Sequence, residues 1–197
     1  MLAVVTMITI LAALAIPLVT RQLRDRRVQQ AALQVSSLYQ NARMRAMGRG
    51  SAVLVRFTPG ERGRFEVLEA QRGLSDSPDG LSPASCRATP IPSCLLPNWN
   101  GAPDQSYRVV TEMDVAQRGE YDRVHVQLKN EAAVGVTHLD VCFIPMGRTF
   151  FRTDAAQNLS PLNHLYTADV FRGDPDAKIG RTRQVFILPN GAARVAL

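Results

Sequence analysis

The side chains of this 197-residue chain that offer chemistry are three histidines, three cysteines and a set of guanidinium groups. His125, His138 and His164 form no H-E-x-x-H pair, Cys86, Cys94 and Cys142 form no C-x-x-C, and no glycine-rich loop is placed to cradle a phosphate. His125 and His138 fall inside apolar, strand-like stretches and read as ordinary partly buried residues. The expectation is a binding or structural protein, with no catalytic residue, no metal ligand set and no cofactor.

Two features remain. Cys86 and Cys94 stand eight residues apart in a segment rich in Ser, Pro, Asp and Gly, numbers 73–106. In an oxidising compartment they are expected to form a disulfide; the competing reading is two unrelated free thiols. Cys142 sits in the apolar run LDVCFI and reads as a small buried hydrophobe. The second feature is Gly180-Arg181-Thr182-Arg183, with Arg172, Lys178 and Arg194 nearby in sequence. Guanidinium groups bind phosphates without reading base sequence, which makes Arg181 and Arg183 candidates for DNA binding. The same residues lead into the strand-like RQVFIL, and charges on a β edge discourage edge-to-edge pairing, so a solvated edge is the competing reading.

The elements that must position these residues begin with a helix. From Met1 to Val19 there is no charged residue, and Thr6 and Thr9 are the polar side chains. Nineteen helical residues span roughly 28 Å, against about 30 Å for a hydrocarbon core, so the stretch reads as a membrane helix with Pro17 kinking its far end. A secretory signal peptide is a competing reading, since Ala13-Leu14-Ala15 fits an A-x-A cleavage site, although no basic residue precedes the apolar run. A buried core helix is another, although nothing polar interrupts the run on any face.

Beyond it, Val28, Ala32, Val35, Tyr39, Ala42 and Ala46 recur at spacings of three and four, one apolar stripe on a helix that Gly48 and Gly50 should stop. The expected division is an apolar helix over 1–19, its amphipathic continuation over 20–48, and a β-rich domain over 49–197 with a loop insertion at about 73–106. Strands are expected at 51–58, 64–70, 107–110, 124–128, 138–144, 165–172, 183–188 and 193–195, from alternation and bounding turn residues. A long helix packed on antiparallel sheet, an α+β fold, is the architecture this implies.

Composition agrees with a folded domain: 46% of residues are hydrophobic and 20% charged, ordinary values for a chain that buries a core. The formal net charge is +6, and all but Lys129 and Lys178 of the 23 basic residues are arginine. Such a balance permits contact with anionic lipid or nucleic acid and also describes a solvated basic face.

The string LAVVTMITILAALAIP is similar to the N-terminal segment of type IV pilins and of type II secretion pseudopilins, in which an apolar run ends in Ala-Ile-Pro. Ala15-Ile16-Pro17 matches that ending, and Ala12-Ala13 matches upstream. VCFIPMGRTFF, from Val141, and VFILPNGAARVAL, from Val185, resemble the strand, Pro-x-Gly turn, strand elements of the GspH/FimT family. Family members carry a basic leader, a glycine, a phenylalanine that becomes the methylated N-terminus, and a glutamate before the apolar run. Counting back from Pro17, Met1 falls just after the glutamate's place, so the expectation is a natural start upstream of Met1.

The resemblance implies a pilin-like fold and a role in assembly, as a minor pilin or a minor pseudopilin. The implied location is the inner membrane, crossed once, with the β-rich domain in the periplasm, followed by incorporation in a pilus or pseudopilus. Arginines directly after the apolar run would by themselves favour a cytoplasmic domain. Long domains translocate largely regardless of charge, and the family's basic leader restores the balance. Leu2, Val5, Ile8, Leu11, Ala12, Ala13, Ala15, Ile16 and Pro17 are then the assembly residues. Implied partners are other pilins or pseudopilins, membrane lipid, and the prepilin peptidase for the full-length precursor. Gly180-Arg181-Thr182-Arg183 matches a G-R-x-R string in the DNA-capturing tail of some FimT-like pilins, which makes DNA a further candidate partner. The long, cysteine-bearing loop and the chain length favour a pilus over a secretion filament.

Overall fold

The computed structural model describes residues 2–72, 89–101, 103, 106–116 and 123–196, with side chains from Gln22 onward and that of Arg72 excepted. Helix α1 runs Leu2–Arg49. Between Gln22 and Met47 there is neither glycine nor proline, so nothing in that stretch breaks the backbone ladder. Gly50 ends it: at φ +68° its N–H donates to the Ala46 carbonyl at 3.1 Å, a left-handed C-terminal cap that a side chain would strain.

Twelve strands follow among the described residues: β1 Val53–Thr58, β2 Arg64–Arg72, β3 Thr89–Pro90, β4 Tyr107–Asp114, β5 Val124–Lys129, β6 Gly135–Val136, β7 Leu139–Phe143, β8 Thr149–Arg152, β9 Ser160–Pro161, β10 Tyr166–Asp174, β11 Ala177–Ile187 and β12 Ala193–Val195. They form two antiparallel sheets. The first has the order β3-β2-β1-β7-β8-β9, with β4 also on β2; the second has the order β12-β11-β10-β5-β6. The expected helix-on-antiparallel-sheet architecture is present, with the strands divided between two sheets.

The six stripe residues Val28, Ala32, Val35, Tyr39, Ala42 and Ala46 are all buried, together with Ala31 and Leu38. Against them lie Val53, Val55 and Phe57 of β1, Phe65 and Val67 of β2, and from the second sheet Leu128, Val170, Val185 and Ile187. The alanines keep the helix close to the strands, since the separation of packed elements follows side-chain size at the contact. Ser36 and Gln40 fasten the same face to β12 by donating to the Ala193 carbonyl at 3.0 and 3.1 Å.

β1 is buried on both faces because the pleat sends successive side chains to opposite sides. Leu54 points away from α1 into a second apolar cluster with Leu68, Ala70, Cys142, Ile91, Cys94, Trp99 and Tyr107. Ile91, Cys94, Trp99 and Tyr107 therefore cover the outer face of the first sheet. Trp99 Nε1 donates to the Cys94 carbonyl at 2.8 Å, the Tyr107 hydroxyl donates to the Gly101 carbonyl at 2.8 Å, and the two rings stack at 5.9 Å.

The disulfide in this cover is Cys94–Cys142, with Cα atoms 6.1 Å apart, not the expected Cys86–Cys94. Cys86 lies outside the described residues. The reason is the pleat of β7: Val141 and Phe143 face α1, so Cys142 between them faces the covering loop. Cys142 is buried, as a small hydrophobe there would be, but it is covalently bonded. A cross-link spanning 48 positions contributes about 2–4 kcal/mol by the chain-entropy argument.

Several strand bounds differ from expectation: β11 begins at Ala177 rather than Arg183, β4 runs to Asp114 rather than ending at 110, and β3, β6 and β9 are additional short strands. The β7–β8 hairpin, with Thr149–Arg152, has the strand, turn, strand form that the resemblance implies. The turn before β12 requires Gly191, which sits at φ +75°, where a Cβ would collide with the Phe143 ring and Thr149 Oγ1. Peptide mapping of the unreduced protein is expected to yield linked Cys94 and Cys142 peptides, with Cys86 available to a thiol reagent. Reduction should shift the emission of Trp99, the one tryptophan of the sequence, to the red; recovery of a Cys86–Cys94 peptide would overturn the pairing.

Candidate functional site

Three buried carboxylates organise the polar interior. Glu69 on β2 is 1% exposed, and its Oε2 accepts from Arg45 Nε at 2.8 Å and from Arg108 Nη2 at 2.9 Å. Ser51 Oγ donates to Oε1 at 3.1 Å, and Arg49 Nη1 stands 3.7 Å from the same oxygen. The site thus joins the last turns of α1 to β2 and β4, with cations where the helix dipole favours them. Burial alone would raise the Glu69 pKa; the hydrogen bonds from Arg45 and Arg108 outweigh it and hold the carboxyl below its ordinary value.

Asp140 on β7 is fully buried. Arg56 donates through Nε to Oδ1 at 3.0 Å and through Nη2 to Oδ2 at 3.1 Å, while Arg152 Nε donates to Oδ2 at 2.8 Å. His138 Nε2 lies 3.1 Å from Oδ1. The two guanidinium groups continue outward to the Trp99, Ala155 and Gln157 carbonyls and to Asn100 Oδ1. Asp140 therefore fixes both the covering loop and the β8–β9 connection. Burial pushes its pKa up, but the close approach of His138 and the hydrogen bonds from Arg56 prevail and bring it down to about 2.

Asp169 on β10 has the same character in the second sheet. Lys129 Nζ is 2.7 Å from Oδ2, and Gln184 Nε2 donates to Oδ1 at 3.1 Å. Lys178 Nζ lies 4.5 Å from the centre of the Phe171 ring, on which His125 also stacks at 5.9 Å. Burial, with Arg62 nearby, holds the His125 imidazole below its ordinary value. A carboxylate satisfied by two cations is a clamp: Asp140 stays ionised far below neutral pH and has no proton to exchange there. Among the described residues, no group of three or more His, Cys, Asp or Glu side chains is placed to hold a metal ion.

Arg181 and Arg183 both lie on β11 but in different settings. The β10–β11 register slips, pairing Val170 with Arg183 and then Arg172 with Ile179, which leaves Gly180, Arg181 and Thr182 in a bulge. Gly180 takes φ +82° there and comes close to α1; a Cβ on it would stand 3.3 Å from Asp25 Oδ1. The bulge and helix enclose an open hollow of about 470 Å³ lined by Arg24, Asp25, Arg172 and Arg181 among others. Arg183 is half-buried and is not among its lining residues. Spacing along the chain could not reveal Arg24, which the fold brings in from α1.

The proposed assembly residues from Leu2 to Pro17 lie within α1, in the stretch whose side chains fall outside the described residues. Among the described residues no helix is long and apolar enough to cross a membrane.

No family model matches this chain, and no curated protein matches it. Among solved structures it is similar to the type IV minor pilin FimU of Pseudomonas aeruginosa, in two crystal forms. One matches at 14% identity over 88% of this chain and 90% of that chain, with a TM-score of 0.45. The other matches at 14% identity over 86% and 92%, with a TM-score of 0.42.

The depressed Asp140 pKa sets a pH dependence of stability. Its folded-state value of about 2 lies below the ordinary 3.8, so the unfolded chain takes up the proton first. The contribution is full above about pH 4 and is lost as pH falls toward about 2, with a ceiling of about 2 kcal/mol. Asp140→Asn should cost about 3–5 kcal/mol at pH 7, by leaving Arg56 and Arg152 without their counter-charge. It should also flatten the pH 4 to 2 slope in denaturant titrations; an unchanged slope would remove Asp140 from this role.

Proposed function

We propose that this chain is a minor pilin of a type IV pilus. In this reading it is held in the inner membrane by the apolar start of α1, with its β-rich domain in the periplasm, and is then packed into the filament by the same helix. The observation that carries the reading is the helix itself: α1 is assigned from Leu2 to Arg49, its own domain takes it up from Val28 onward, and residues 1–19 carry no charge. A helix of 48 residues is roughly 70 Å long, more than the domain needs. The resemblance of LAVVTMITILAALAIP to pilin N-termini supports the same assignment. The function is assembly rather than catalysis, and the partners are other pilins.

Moving the apolar helix from lipid to neighbouring helices gains little hydrophobic energy, because lipid tails are as apolar as leucine. Close packing at Ala12, Ala13 and Ala15 must then provide the preference, with Leu2, Val5, Ile8, Leu11, Ile16 and Pro17 completing the surface.

A second reading, capture of DNA for uptake, is favoured by one observation: Arg181, Arg24 and Arg172 line a single open hollow beside an exposed strand edge. Phosphate binding there needs no base readout.

Ala13→Arg separates assembly from folding. A charge at the centre of an apolar span costs about 2.5–3.5 kcal/mol on insertion scales, so filament incorporation should be lost from sheared surface fractions, while the Cys94–Cys142 bond and Trp99 emission persist. Undiminished incorporation would sink the assembly reading. Deletion of the gene in its host should abolish surface pili; intact pili with lost enzyme export would assign the chain to a pseudopilus instead. For DNA, the pair Arg24→Ala and Arg181→Ala should weaken binding of duplexes of any sequence in gel-shift titrations, and should lower the salt slope by about 1 for each phosphate no longer neutralised. Equal affinity for wild type and variant would exclude the hollow.

A further inference from the structure

Where the edges of the two sheets part, a cleft of about 610 Å³ opens between the β5–β6 connection, β8 and the start of β10. None of its lining residues comes from α1, so it is separate from the assembly helix and from the arginine hollow. The volume is within the range of small-molecule sites, about 300–1,000 Å³.

Its floor is aromatic. The rings of Phe151 and Tyr166 lie 5.6 Å apart, and His164 stands edge-on to Phe151 at 5.8 Å. Its rim is polar and mostly neutral: Asn130, Thr137 and Thr153, with the single carboxylate of Glu131. Two of these groups, Glu131 and Asn130, are held in place. Glu131 Oε1 accepts the Leu165 N–H at 2.7 Å, and Oε2 is 3.8 Å from His164 Nδ1. Asn130 Oδ1 accepts the Val134 N–H at 2.9 Å, which sets the orientation of its amide.

The lining discriminates among ligand classes. An anion would meet the Glu131 carboxylate, and no arginine or lysine lines the cleft to offset it. An alkyl chain would bury hydroxyl and amide groups without partners, at a cost in free energy. A sugar ring satisfies both halves of the site, since its C–H face packs on an aromatic ring while its hydroxyls donate and accept around the edge. We infer that this cleft is a saccharide-binding site, which takes a neutral sugar residue with its ring face on Phe151 and its hydroxyls toward Asn130, Glu131, Thr137 and Thr153. The inference is independent of filament assembly.

The test uses the full chain in a detergent without a sugar headgroup, titrated with galactose, mannose and N-acetylglucosamine and followed by amide NMR. At least one sugar should shift resonances of residues 130–137, 151–153 and 164–166. Thr153→Val and Glu131→Gln should each weaken that sugar about tenfold, the scale of one hydrogen bond to a sugar hydroxyl. The Glu131→Gln variant keeps a side-chain carbonyl oxygen for the Leu165 N–H, and unchanged denaturant midpoints would exclude a folding effect. Absence of shifts with all three sugars overturns the proposal. So does binding that both variants leave intact, or a stronger response to tetramethylammonium than to any sugar, which would mark a cation site.

Discussion

The burial of one helical stripe, Val28 to Ala46, is the constraint on which the rest of the structure depends. Both sheets direct apolar side chains at it: β1 and β2 from one side, β5, β10, β11 and β12 from the other. α1 therefore serves as the common partner of both sheets. Without it Val55, Phe65, Leu128 and Ile187 would lose shared packing surface, and a sheet with one apolar face uncovered is not a stable layer. The outer face of the first sheet has its own solution, in which the Cys94–Cys142 bond and Trp99 draw a turn-rich segment over Leu54 and Leu68.

The buried ion pairs do something different from the apolar core. Replacing such pairs by packed hydrophobes is often neutral or stabilising in proteins, so their presence is weak evidence for added stability. Their geometry is informative instead. Asp140 ties β7 to β1 through Arg56, to β8 through Arg152, and through both to the carbonyls of two covering segments. Leaving any of those groups unpaired in the interior is costly, so the network restricts the loops to one arrangement over the sheet. Glu69 does the same for the end of α1 through Arg45.

Periodicity made the helix stripe and most strands legible, because those patterns are local and report burial directly. The Cys94–Cys142 bond was not legible, since pairing depends on which face of β7 meets which loop, and spacing along the chain carries no such information. The bulge in β11 was hidden for a similar reason: the exposed residues from Ala177 to Thr182 lack the alternation of a strand, yet β10 pairs with part of them. Arg24 joined Arg181 only through the fold. The sequence did carry one signal of the buried clamps. Asp140 interrupts the otherwise apolar strand LDVCF, and a charge in such a place requires partners, which implicates arginines elsewhere in the chain.

The same clamps bear on how force would pass through the molecule if α1 is anchored in a filament. Sliding the helix by one turn, about 5.4 Å, would keep much of the apolar stripe against apolar strands. It would not preserve the polar contacts, because Arg45 would move off the buried Glu69 and leave it Arg108 as its strand-borne cation, and Ser36 and Gln40 would lose the Ala193 carbonyl. Apolar burial is non-directional and tolerates sliding, whereas hydrogen bonds and ion pairs fix position. The polar contacts lie toward the C-terminal end of α1, at Ser36, Gln40, Arg45 and Arg49, so they lock the domain to the helix at the end remote from the apolar run. If the helix is held at its other end, as the proposed function has it, that placement would let the domain be carried as a rigid load.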